Sequence, residues 1–178
     1  MQLARSPLVS EEDFLSLPES LDKIELIDGE VFVAPSLTYE HQWLVQEVQV
    51  ALYIWAKAHT EQVTVGHAPS DIRFAPGRIL QPDLYVASGK VSRDAAGPLD
   101  VIPFLCVEVL SKNRQHDRVT KRFVYAAAGV QEYWVVEQTG LIERWTGSEL
   151  NVAEEITGVL TSPLLPGFSL DVATLRKL

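Results

Sequence analysis

Two acidic residues occupy predicted β-strands, where a carboxylate is unusual and could serve chemistry. Glu108 lies in the nearly all-apolar run Phe104–Leu110, which is typical of a strand buried on both faces. Asp83 follows Pro82 at the start of the run 83–87, another predicted strand. A buried carboxylate is costly unless a cation or hydrogen bonds compensate it, so both residues need partners. If the two strands are neighbours, the acids together offer the oxygen ligands that Mg²⁺ prefers, whereas the absence of a Cys and His cluster disfavours Zn²⁺.

A lysine on the predicted helix after the Glu108 strand is placed to join these acids. Asp117, Lys121 and Tyr125 recur at i, i+4 and i+8, so they share one face of a helix predicted over 117–128. Lys121 could therefore reach back toward a bound ion. The ordinary alternatives are that Lys121 extends into solvent and that each acid forms a surface salt bridge or caps a strand end.

Positive charge is concentrated in the same region. The chain has 15 Lys and Arg against 24 Asp and Glu, a net charge of -9, which argues against non-specific coating of nucleic acid. The segment 111–122 nevertheless carries five basic residues and one acid, a local net charge of +4, and can bind a polyanion locally. Its candidates for phosphate contacts are Lys112, Arg114 and Arg118, with a solvated charged face as the alternative.

Helices and strands alternate along the chain and must position these residues. A short helix begins after Ser10, a hairpin turns at Asp28–Gly29, and a long amphipathic helix runs from Tyr39 to about His59. Further strands are predicted at 62–65, 71–74, 83–87, 104–110, 132–136 and 141–145, followed by an extended tail ending in a short helix. This order predicts an α/β fold with a mixed β-sheet flanked by helices.

The composition is that of one globular domain. The chain has 178 residues, 47% of them apolar, and a mean hydropathy of +0.06. Its longest uncharged stretch, 156–170, is interrupted by Gly and Pro and is too short to span a bilayer. The first residues lack the apolar run of a secretory signal, and Cys106 is the only cysteine, so we expect a cytoplasmic protein.

Three motifs together resemble a known family. They are Pro82–Asp83, the run Val107–Ser111, and a segment from Asp117 to Trp134 in which Lys, Tyr, Gly-Val and Glu-Tyr-Trp follow at fixed spacings. This set is similar to the "Uma-two" putative restriction endonucleases, a bacterial branch of the PD-(D/E)XK nuclease superfamily. An opening hairpin at 25–30, His41 at the start of the long helix and a Leu-Pro-Gly-Phe tail extend the resemblance over about residues 21–168.

The resemblance implies a restriction-endonuclease-like core, a single PD-(D/E)XK nuclease-like domain over 1–178, and metal-assisted hydrolysis of phosphodiester bonds. Asp83, Glu108 and the backbone carbonyl of Val109 would hold Mg²⁺, with Mn²⁺ as a substitute. Lys121 would orient the attacking water. Glu25 would be the fourth catalytic member, and His41 would lie beside the site near the nucleic acid. Without the resemblance, Glu25 is equally an acid at a hairpin end paired with Lys23 or Arg73, and His41 a buried or capping residue.

One position departs from the superfamily pattern. The superfamily's usual lysine follows the second acid by two residues on the same strand, where this chain has Leu110. The resemblance implies a lysine supplied instead by the helix, for which Lys121 matches and Lys112 is the competitor.

The expected partner is nucleic acid, with DNA as the substrate and a homodimer as the assembly, because nucleases that cut both strands often pair by two-fold symmetry. Leu110 and the net charge of -9 support an alternative, a catalytically inert module that keeps the nuclease fold for binding or assembly. A third interpretation, a glycosidase carboxylate pair, leaves the adjoining cations without a role.

Overall fold

The computed structural model describes residues 8–18, 20, 22–34, 38–59, 62–110 and 116–176. Two of the residues predicted to contact phosphate, Lys112 and Arg114, lie outside the described residues. The helices are α1 (Glu11–Leu15), α2 (Tyr39–Lys57), a π-helical turn (His116–Lys121) that continues directly into α3 (Arg122–Ala128), and a 3₁₀ helix (Val172–Leu175). Among them, none combines the length and apolar character that crossing a bilayer requires.

A mixed sheet of six strands forms the centre of the described structure. In spatial order its strands are β10 (Val152–Ile156), β9 (Ile142–Thr146), β8 (Glu132–Val136), β7 (Leu105–Val109), β6 (Leu84–Ser88) and β3 (Val63–His67). Strands β7 and β8 run parallel, and the other neighbours run antiparallel. The prediction of a mixed sheet flanked by helices is therefore confirmed.

A smaller antiparallel sheet carries the opening hairpin. In spatial order its strands are β2 (Glu30–Val33), β1 (Ile24–Ile27), β5 (Arg78–Leu80) and β4 (Ile72–Ala75). A further pair, β11 (Val159–Leu160) and β12 (Leu170–Asp171), lies in the tail.

Side-chain alternation along β7 decides which face carries Glu108. Leu105, Val107 and Val109 pack into the core cluster that includes the buried stripe of α2. Cys106 packs into the other cluster, with Tyr125 of α3. Because successive side chains of a strand point to opposite faces, Glu108 lies on the same face as Cys106 and thus toward α3.

Two parts of the chain differ from the sequence prediction. The sequence predicts no strand between 74 and 83, yet β5 lies there, joined to β4 by a tight turn and paired with β1. With three residues, β5 is too short to produce an alternation pattern, and Gly77 takes a positive φ of 73° at its turn. The extended tail also contains β10, β11 and β12, of which β10 is exposed at four of five positions and so lacks an apolar run.

Candidate active site

Asp83, which directly precedes β6, and Glu108 of β7 converge because these strands are antiparallel neighbours. Leu84 of β6 pairs with Val107 of β7, which brings the residue before Leu84 level with the residue after Val107. Asp83 Oδ2 accepts a hydrogen bond of 2.8 Å from the backbone N–H of Val109, and Asp83 and Glu108 are both buried. The structure thus brings Asp83, Glu108 and the Val109 backbone together at one end of the central sheet.

Glu108 is the most deeply enclosed of the acids and is surrounded by donors. Lys121 Nζ lies 3.0 Å from Oε1, and the Tyr125 hydroxyl donates to the same oxygen at 2.6 Å. Lys23 Nζ lies 3.3 Å from Oε2. Burial raises the pKa of Glu108 to about 7, although the Lys121 and Lys23 ammonium groups act in the opposite direction.

Asp83 is held in its ionised form by two cationic or hydrogen-bonding side chains. Lys23 Nζ lies 2.9 Å from Oδ1, and His41 Nε2 lies 3.1 Å from Oδ2. Burial opposes ionisation, but Lys23 and then His41 outweigh it and hold the pKa of Asp83 well below its ordinary value. His41 itself is buried near the start of α2, where Thr38 caps the helix and accepts from the His41 N–H. The structure places His41 beside Asp83, and its role toward nucleic acid stays a prediction.

Glu25 reaches the same cluster from the smaller sheet. Its Oε1 lies 3.0 Å from Lys121 Nζ and accepts a 2.9 Å hydrogen bond from the N–H of Gln81, which follows β5. His116 Nε2 lies 3.4 Å from Oε2. Burial works against ionisation, yet Lys121, His116 and Lys23 lower the pKa of Glu25 from 4.5 to about 2.

Because its pKa is lowered in the folded protein, the ionised Glu25 carboxylate contributes stability that depends on pH. Its contribution is fully present above the unfolded pKa of about 4.5 and is lost as the pH falls toward about 2. The shift corresponds to about 3 kcal/mol of unfolding free energy. We expect that between pH 5 and pH 2 wild-type protein loses about that much more stability than Glu25→Gln, measured by urea denaturation. Glu155→Gln, which changes an exposed acid on β10, should follow the wild-type curve. Parallel curves for wild type and Glu25→Gln would contradict this role of Glu25.

Lys121 points into the cluster and not into solvent, with 2% of its side chain exposed. Its ammonium joins Glu25 of the smaller sheet to Glu108 of the central sheet and lies 3.7 Å from Asp117 on its own π-helical turn. Burial favours the neutral amine, but Glu108 and Glu25 prevail and raise the pKa of Lys121 well above its ordinary value. Lys121 is therefore charged and fixed between two carboxylates.

Lys23 and Tyr125 are site residues to which the sequence interpretation gave no role in chemistry. Lys23 was considered only as a surface partner of Glu25, yet its ammonium contacts Asp83 and Glu108. The sequence does contain a signal for Lys23. Lys23 directly precedes β1 and Glu25 follows two residues later within it, so the two side chains share one face. Asp83 and Glu108 outweigh burial and raise the pKa of Lys23.

The predicted phosphate contact Arg118 is engaged elsewhere. Its guanidinium pairs with Glu137, and its Nη2 lies 2.6 Å from Glu143 Oε1, both acids of the β8–β9 hairpin region. About a quarter of its side chain is exposed. Its role toward nucleic acid stays a prediction, as do those of Lys112 and Arg114.

The donor set fits a hard divalent cation that retains water. Within the described ranges, no three His, Cys, Asp or Glu side chains form a ready metal cluster. Mg²⁺, however, is commonly bound by one or two carboxylates, with waters completing its octahedron, and Asp83 and Glu108 supply such a pair. The connected group of Glu25, Asp83, Glu108 and Asp117 faces two lysines, which leaves an excess of two negative charges when all are ionised. One divalent ion would balance that excess.

Comparisons with known proteins identify a family model and a solved structure that are similar to this chain. A family model described as "Putative restriction endonuclease" (Uma2) matches residues 11–173. The chain is also similar to a solved structure, that of a "putative nuclease belonging to DUF820" from Anabaena variabilis, with a TM-score of 0.77 and 17% identity over 94% of this chain and 97% of that one. At this identity the likeness shows a shared fold. No curated protein matches the chain.

Proposed function

This chain belongs to the Uma2 family, and we propose that it is a metal-dependent nuclease that hydrolyses phosphodiester bonds of DNA, with Mg²⁺ as its ion and Mn²⁺ as a substitute. The observation that carries the proposal is the convergence of Asp83 and Glu108, from neighbouring strands, with the buried ammonium of Lys121. Two carboxylates and a fixed cation, all removed from solvent, are the groups that metal-assisted phosphodiester hydrolysis needs.

Asp83 and Glu108 would hold the ion, and the Val109 carbonyl would complete the protein ligands. When bound, a divalent ion polarises a phosphoryl oxygen and lowers the pKa of water. Two existing contacts orient the acids: the Val109 N–H fixes Asp83 Oδ2, and the Tyr125 hydroxyl fixes Glu108 Oε1. These contacts restrict the carboxylates to one arrangement before any ligand arrives.

Lys121 would orient the attacking water and offset the negative charge that grows on the phosphate in the transition state. Glu25 positions it, since its carboxylate lies 3.0 Å from the Lys121 ammonium on the side of the smaller sheet. The superfamily's usual lysine position holds the buried Leu110, and Lys121 would supply the missing cation from a helix instead. His41 positions Asp83, since His41 Nε2 lies 3.1 Å from Asp83 Oδ2.

A cleavage assay with defined substrates tests the proposal. Wild-type protein is incubated with labelled duplex DNA, single-stranded DNA and RNA in Mg²⁺, Mn²⁺ or a chelator. We expect cleavage of DNA with either ion and none with chelator, and loss of at least about 100-fold in Glu108→Gln, since even outer-shell changes cost 10–100-fold. Glu155→Gln is the matched surface control.

Other outcomes would redirect the assignment. Cleavage of RNA alone would overturn DNA as the substrate. Absence of cleavage on all three, together with no binding of Mn²⁺, would favour the inert binding module. A homodimer is part of the proposal, because cutting both strands calls for two sites, and analytical ultracentrifugation measures it.

A further inference from the structure

Lys23 occupies the space between the two acids that would hold the ion. Its Nζ lies 2.9 Å from Asp83 Oδ1 and 3.3 Å from Glu108 Oε2. The Lys23 side chain is 11% exposed, whereas that of Lys121 is 2% exposed. Lys23 is therefore the more accessible of the two cations that neutralise the acid pair.

The two lysines use different oxygens of Glu108. Lys121 contacts Oε1, which also accepts from the Tyr125 hydroxyl, while Lys23 contacts Oε2. A divalent ion held by Asp83 and Glu108 would need an oxygen of each carboxylate, and Lys23 now contacts one oxygen of each. The Lys23 ammonium and a divalent ion cannot both contact these two oxygens, because their positive charges repel each other.

We propose that Lys23 is a resident counter-cation, which holds Asp83 and Glu108 together until a divalent ion binds and which must then withdraw toward solvent. This inference rests on the proposed metal site. The backbone of Lys23 stays in place, since its carbonyl accepts a 2.8 Å hydrogen bond from the Ala34 N–H beyond β2. The exchange is therefore a movement of one side chain, and Lys23 sets the apparent metal affinity because every binding event must displace it.

Calorimetric titration with MnCl₂ or MgCl₂ tests this competition. We expect Lys23→Met to bind either ion about 10-fold or more tightly than wild type, since the competing ammonium is gone and methionine keeps most of the side-chain length. Lys57→Met, at an exposed position in the last turn of α2, should bind as wild type does. Equal or weaker binding by Lys23→Met would overturn the role of Lys23 while leaving the metal site intact. Absence of binding in both proteins would overturn the metal site, and the role of Lys23 with it.

Chemical labelling of wild-type protein provides a second readout that needs no variant. Reductive methylation followed by mass spectrometry reports the accessibility of each amine. We expect Lys23 to be modified several-fold faster with saturating Mg²⁺ than with chelator, while Lys57 is labelled equally and Lys121 stays protected in both. Unchanged protection of Lys23 under conditions where calorimetry detects bound ion would overturn the proposal.

Discussion

Replacing Asp83 with asparagine is expected to remove Mg²⁺-dependent cleavage, with a loss of more than about 100-fold in rate. The amide keeps the size of the side chain, and its oxygen can still accept from the Val109 N–H, so the strand ends stay joined. It lacks the negative charge that would bind the ion and that holds Lys23 and His41. Initial rates on duplex DNA and calorimetric titration with Mn²⁺ measure the two effects separately.

The matched control for this change is Asp94→Asn, in an exposed loop of the described structure. It should cleave and bind metal as wild type does. If Asp83→Asn retained activity within about two-fold of wild type, Asp83 would not be a ligand and the proposed ion would have to be held elsewhere.

Replacing Lys121 with methionine is expected to lower both turnover and stability. Turnover should fall about 10²–10³-fold, the usual cost of removing a charge-stabilising group from a transition state. The unfolding free energy should fall by about 3–5 kcal/mol near neutral pH, because Glu25 and Glu108 lose the cation they share and remain buried. Urea denaturation in chelator measures the stability, and single-turnover assays with saturating ion measure the rate.

The stability loss in Lys121→Met should also depend on pH. Burial already raises the pKa of Glu108 to about 7, and removal of Lys121 would raise it further, so the acid accepts a proton as the pH falls. The destabilisation should therefore be smaller at pH 5 than at pH 8. Lys57→Met should lose neither stability nor turnover. Wild-type turnover in a folded Lys121→Met protein would transfer the catalytic role to Lys112.

The sequence was sufficient for most elements because their signals are local. Ser10 caps α1, Asp28–Gly29 turns the hairpin, Gly129 ends α3 with a φ of 92°, and a run that is apolar except for Glu108 produces β7. Strand order could not be predicted, since it depends on pairings between residues far apart in the chain. The sequence therefore predicts the meeting of Asp83 and Glu108 only if their strands are neighbours, and the antiparallel pairing of β6 and β7 meets that condition.

The two lysines of the site show the other limit of sequence reasoning. A lysine on a helix or before a strand is ordinarily solvated, and only the surrounding elements reverse that expectation. Lys121 matched a family position, so its place in the site could be anticipated from the resemblance. Lys23 lies outside the motifs that carry the resemblance, and it is held by ion pairs with residues 60 and 85 positions further along the chain.

The ion pairs of the site also join two separate sheets. Lys23 and Glu25 belong to the opening hairpin, whereas Asp83 and Glu108 belong to the central sheet, and Lys121 contacts acids from both. Besides the catalytic role proposed for them, these charged groups attach the opening hairpin to the central sheet. Because Glu25 also pairs with Lys121, the two sheets stay linked when the Lys23 side chain withdraws.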